Sequence, residues 1–195
     1  VVRLDILIGA GQWHQTQSLQ AMFTNRMLRE GTSSMSSQQI AETLDYYGAM
    51  MELSSSVNCG FITLYSLNKY FLQTVAVVAD ILQHPTFPEK EMKIVLEMNK
   101  QRFLVNSSRV EMKGRKALNR SLFGLAHPLG RYAEAEDYDR ITVDKLEEFY
   151  RQYYHSGNCS IYVSGKVTSE IIHCIENALG NHAWGEIKEV FPIQS

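Results

Sequence analysis

Cysteine, charge of one sign and long apolar runs are all scarce here, and each absence excludes a class. Cys59, Cys159 and Cys174 are the only thiols in 195 residues. Their odd number and lack of CxxC spacing exclude a disulfide scaffold and favour buried thiols in a reducing, cytoplasmic compartment. Lys and Arg total 19 against 21 Asp and Glu, a net charge of −2 with a pI near 6.3. That balance lacks the basic footprint of a nucleic-acid or anionic-membrane binder. No apolar run approaches the roughly 18 residues of a membrane span, and Val1 opens no basic signal-peptide head. Motifs are also missing: there is no GxSxG elbow, no GKS/T phosphate loop, no third glycine after Gly9 and Gly11 to open a dinucleotide-binding helix, and no HExxH or inverted HxxEH. What remains is 45% hydrophobic and 21% charged residues, a globular composition. A chain this long hides roughly 70% of its unfolded surface and folds without metal or disulfide staples.

The chain opens in alternation, with Val2, Leu4, Ile6 and Ile8 on one face of a strand that no leader or cap precedes, as in a segment of a longer protein. Leu19, Met22, Phe23, Arg26 and Met27 then share a helical face that Gly31 stops. Ser36 and Gln39 spell a capping box for a second helix carrying Ile40, Leu44 and Tyr47 and ending at Gly48. Residues 49–66 read as two adjacent antiparallel strands with their turn at Asn58–Gly60. Phe71, Val75, Val78 and Leu82 mark a helix stopped by Pro85. Pro88 opens a long helical stretch toward Phe123, which Gly114 is expected to break. After a turn at His127-Pro128-Leu129-Gly130, Thr142 caps a helix with Leu146, Phe149, Tyr150 and Tyr153. A strand at 158–164 and a helix with Ile171, Ile175 and Leu179 follow. The expected fold is α+β: a two-layer domain over residues 1–185, with a mainly antiparallel sheet packed by helices. Residues 186–195 read as the start of a linker to a second domain.

The order of these features resembles the first domain of the pitrilysin/insulysin family of zinc peptidases, the mitochondrial processing peptidase kind. The resemblance is carried by Met27-Leu28-Arg29-Glu30-Gly31-Thr32, Gly48-Ala49 entering a strand, Phe87-Pro88-Glu89 with Val95-Leu96-Glu97, His127-Pro128-Leu129-Gly130, Ile141-Thr142, Gly157-Asn158 and Gly165-Lys166-Val167. It runs over nearly the whole chain. Members carry a helix reading His-Phe-Leu-Glu-His-Met-Leu-Phe-Lys-Gly-Thr, in which both histidines bind zinc and the glutamate activates the metal-bound water. Anchored on Gly31-Thr32, the zinc positions fall here on Met22 and Arg26 and the base on Asn25. The family's third ligand matches Glu97, and its assisting glutamate matches Lys90. A thioether suits catalytic zinc poorly, a guanidinium cannot ligate, and an amide cannot accept the proton.

The resemblance therefore implies an inactive peptidase-like domain without zinc, the metal of active relatives. It would act as partner subunit or peptide-gripping half of a zinc-bearing homologue, with no nucleic-acid or membrane partner. Family members bind extended peptide on an exposed sheet edge, which matches Met51, Glu52, Leu53, Ser54 and Ser55. The alternatives are an active zinc metalloendopeptidase with unrecognised ligands and a purely structural subunit like the core proteins of the respiratory cytochrome complex. If the metal is gone, Arg26 is expected to pair with Glu97 in the vacated space.

Overall fold

Alternation in the first eight residues becomes strand β1 (Val2–Ile8), whose even-numbered side chains are buried. In the computed structural model, which describes residues 1–125 and 127–186, β1 lies inside a four-stranded antiparallel sheet with β2 (Met50–Ser55), β3 (Gly60–Ser66) and β4 (Cys159–Gly165). The strand order is β2-β3-β1-β4. Register puts like with like: Leu4 faces Leu64 and Val163, and Ile6 faces Ile62 and Ile161, so one face of the sheet is continuously apolar. The opposite face carries the row Glu52, Thr63, Asp5 and Tyr162, with Thr63 Oγ1 donating to Asp5 at 2.7 Å. One greasy face and one wet face are what an antiparallel sheet covered on a single side requires.

The helices are α1 (Gln20–Met27), α2 (Ser37–Tyr46), α3 (Phe71–Gln83), α4 (Glu89–Ser107), α5 (Val110–Phe123), the single turn α6 (Asp137–Arg140), α7 (Val143–Tyr153) and α8 (Ser169–Ile175). They supply Phe23, Met27, Phe71, Val78, Leu82, Leu146 and Phe149 to the core against the sheet. Each fully buried side chain of this size contributes roughly 1.5–3 kcal/mol. The expected α+β, two-layer architecture is the one observed. No helix among the described residues is long and apolar enough to cross a membrane. The linker expected at 186–195 lies, beyond Glu186, outside the described residues.

Local chemistry explains where elements start and stop. Ser36 Oγ accepts from Gln39 N at 3.3 Å and Gln39 Oε1 accepts from Ser36 N at 2.8 Å, the expected capping box. The expected break at Gly114 does not occur, because Gly114 sits inside α5. The break falls instead at Ser108-Arg109. There the hydroxyls of Ser107 and Ser108 donate back to the carbonyls of Leu104 and Val105 at 3.0 and 2.8 Å, and Arg109 turns to extended backbone. Hydroxyls that satisfy the last carbonyls end a helix more effectively than an exposed glycine weakens one. Thr142 occupies the N-cap position of α7, but its hydroxyl makes no cap hydrogen bond.

The turn at 127–130 is built by packing. His127 stacks on Phe123 at 5.0 Å, meets Trp13 edge-on at 4.8 Å, and accepts from Leu129 N through Nδ1 at 3.1 Å. A Cβ on Gly130 would lie 1.8 Å from the Gly124 carbonyl oxygen, so only glycine closes this turn.

Candidate functional site

Helix α1 crosses between α7 on one side and β2 and β3 on the other. Its polar side chains decide how it sits. The Gln20 amide donates to Lys145 O at 2.7 Å and accepts from Thr16 N at 3.0 Å, while Thr24 Oγ1 donates to Leu146 O at 3.4 Å. The bonds to Lys145 and Leu146 pin α1 to the first turn of α7 across more than a hundred residues of chain. Leu19, at the N-cap, holds left-handed backbone (φ 73°) while its side chain is buried. That conformation costs a non-glycine residue about 1–2 kcal/mol.

The three motif positions point in different directions. Asn25 is 1% exposed and turned into the core, where neither amide atom has a hydrogen-bond partner. It lies against the α-carbon of Gly60, where an added Cβ would come within 2.9 Å of both Asn25 Nδ2 and Tyr154 Oη. The Tyr154 hydroxyl is also buried without a well-formed hydrogen bond. Burial pushes its pKa well above the ordinary phenol value, and the neighbouring Asn25 offsets only part of that rise. Next to it, His155 is buried with both ring nitrogens unpartnered, and burial lowers its pKa. Met22 is half-buried and turns the other way, into an open cavity of about 440 Å³. Arg26 is half-buried at the edge of the core stripe and makes no ion pair among the described residues. Its charge acts with that of Arg29 on Glu30, whose carboxyl is nevertheless pushed up by burial.

The expected Arg26–Glu97 pair is not formed. Glu97 is exposed on α4 and accepts from Gln101 Nε2 at 2.8 Å. The reason is helical phase. The inward stripe of α4 is Met92, Val95, Leu96, Asn99 and Phe103, and Glu97 lies well outside it. Five residues beyond Met92 is about 140° around the helix. Lys90 is exposed in the first turn of α4. Thus Met22, Asn25 and Arg26 share one helix, but Glu97 does not join them in an ion pair. No group of three or more His, Cys, Asp or Glu able to hold a metal occurs among the described residues.

The strand expected to bind peptide, β2, is one of the two edges of the sheet. Among the described residues β2 pairs with β3 alone, so its other side presents unpaired main chain there. Met51 is buried and Leu53 and Ser55 are half-buried, whereas Met50, Glu52 and Ser54 are exposed. All three thiols are free, and burial pushes that of Cys159 up to about 12, which disfavours the nucleophilic thiolate. Sequence reasoning missed the cavity beside Met22. Its lining comes from Gln12, Val57, Phe103, Met112 and Arg131, residues from five separate stretches with no shared pattern.

The family model for insulinase (peptidase family M16) matches residues 1–129, and that for the peptidase M16 inactive domain matches residues 140–193. An uncharacterized zinc protease YmxG of Bacillus subtilis (strain 168) is 23% identical over 186 residues, 93% of this chain and 45% of its own length. The mitochondrial-processing peptidase subunit alpha-1 of Dictyostelium discoideum is 25% identical over 190 residues, 93% of this chain and 28% of its own. The chain therefore spans less than half the length of these relatives. Among solved structures, a peptidase M16 inactive domain from Pseudomonas fluorescens superposes with a TM-score of 0.82 at 21% identity, covering 98% of this chain and 48% of that one.

Proposed function

The chain belongs to the insulinase family of M16 peptidases, and from that premise we propose that it is a catalytically inactive pitrilysin-like domain that grips extended peptide beside a zinc-bearing homologous partner. The observation that carries this reading is the donor set on α1. A thioether at Met22, a buried amide at Asn25 and a guanidinium at Arg26 stand where a zinc peptidase of this family needs two imidazoles and a carboxylate. These residues do not fit a catalytic zinc. No side chain of α1 can hold a metal-bound water or take its proton, so no hydrolytic step is assigned to this helix.

Two features support the gripping and partner roles. The open edge of β2 offers main-chain N–H and C=O groups to an extended peptide without demanding any particular side chain. Helix α4 carries a second apolar stripe opposite its inward one, with Ile94, Met98 and Val105 all more than half exposed. An amphipathic helix with apolar residues on both faces suits a domain covered from both sides. The name of the Dictyostelium relative makes that protein a subunit, and a subunit role for this chain is the analogous reading.

The test is direct. Purified chain, with or without added zinc, is expected to leave unstructured peptides uncut and to hold no stoichiometric metal by elemental analysis. Chelator-sensitive cleavage that follows the purified chain and is lost in Glu97→Ala would overturn the reading.

A further inference from the structure

The cavity beside Met22 has two chemistries. Leu19, Met22, Phe103 and Met112 give it an apolar part of its lining. Arg115 of α5 and Arg131 of the loop that follows also line the space, both of them solvent-exposed residues, and no Asp or Glu does. Neither arginine has an ion-pair partner among the described residues. Their neighbours Lys116 and Arg120, by contrast, are both engaged by Glu134. Two cations left without a counter-charge beside an apolar wall match a carboxylate carried on an apolar stem. A guanidinium presents a planar fork to both carboxylate oxygens. The volume, about 440 Å³, lies in the range of small-ligand sites.

The position of the cavity says what would carry that carboxylate. Gln12 and Val57 form part of its lining, and they lie where the edge strand ends. There Gln12 N donates to Ser56 O at 3.1 Å and Trp13 N to Val57 O at 3.0 Å, fixing the β2–β3 turn against the start of α1's approach. A peptide paired along β2 would run off its end toward this opening.

We propose that the cavity is an anion subsite, taking the carboxylate of a glutamate side chain from an extended peptide, with the methylenes on Met22 and Phe103 and the charge between Arg115 and Arg131. The peptide part of this inference rests on β2 being a peptide-binding edge; the carboxylate part does not. Two measurements on the full chain separate them. The first titrates fluorescent extended peptides with amidated C-termini, identical except for one Glu or Gln. The Glu peptide is expected to bind about tenfold more tightly, the yield of two partly exposed ion pairs. That advantage should vanish in the Arg115→Gln/Arg131→Gln variant. The second follows the methyl resonances of Met22 and Met112 by NMR while 3-phenylpropionate or its neutral amide is added. The acid should shift both methyls and the amide neither. Equal affinity for the two peptides, a preference that survives in the double variant, or methyls unmoved by the acid each overturn the proposal. If neither peptide binds while the acid still shifts both methyls, the anion subsite stands and the reading of β2 as a peptide edge falls.

Discussion

Asn25 and Tyr154 show how far one residue's chemistry depends on where it points. An amide and a phenol face each other over Gly60, both buried and neither well hydrogen-bonded. Leaving a polar group buried without a partner costs roughly 1–3 kcal/mol, so removing such a group loses little. Tyr154→Phe is therefore expected to change stability by less than about 1 kcal/mol, in the stabilising direction, as read from denaturant midpoints at constant slope. A loss of 2 kcal/mol or more would mean that the hydroxyl has a buried partner such as an ordered water. The motif's sequence position made Asn25 look like a lost base. Its burial adds that the amide packs on the sheet side of α1 against Gly60, while Met22 alone of the three lines the cavity.

Elements end where backbone groups find partners, and this chain shows both a legible and an illegible case. The capping box at Ser36 and Gln39 depends on residues three apart, so it could be read directly and the structure contains it. Ser36→Ala should destabilise the chain by about 1 kcal/mol, seen as a lower thermal midpoint, while Ser37→Ala in the same turn should cost less. An equal effect from both would show that the hydroxyl of Ser36 is not what caps α2. The break between α4 and α5 was less legible. Gly114 was the obvious weak point by propensity, yet the serine hydroxyls at 107 and 108 that reach back to carbonyls set the boundary. Propensity is a small bias of about 1 kcal/mol, and specific end bonds override it.

For the molecule as a whole, the second apolar stripe of α4 is the feature that folding alone does not explain. Ile94 and Met98 face solvent, so charging them should leave the chain's own stability within about 0.5 kcal/mol of the parent. If that stripe is covered by a homologous partner, Ile94→Lys/Met98→Lys should abolish co-purification with the zinc-bearing homologue while thermal unfolding stays unchanged. Retained co-purification would place the partner's contact elsewhere.

Local signals along the chain were enough for the α+β class, the antiparallel pairing of β2 with β3, most of the helices and the family resemblance. All of these rest on short-range periodicity or on the order of local signals along the chain. Tertiary structure alone decided the rest. It sent β4, from far down the chain, to pair with β1 at one edge of the sheet, and left β2 at the other. It placed Glu97 in the solvent rather than opposite Arg26, because the phase of α4 is set by what Met92, Leu96 and Phe103 pack against. It also gathered Met22, Phe103, Arg115 and Arg131 around one cavity. Such convergence follows from how helices pack over a sheet, and no spacing in the sequence encodes it.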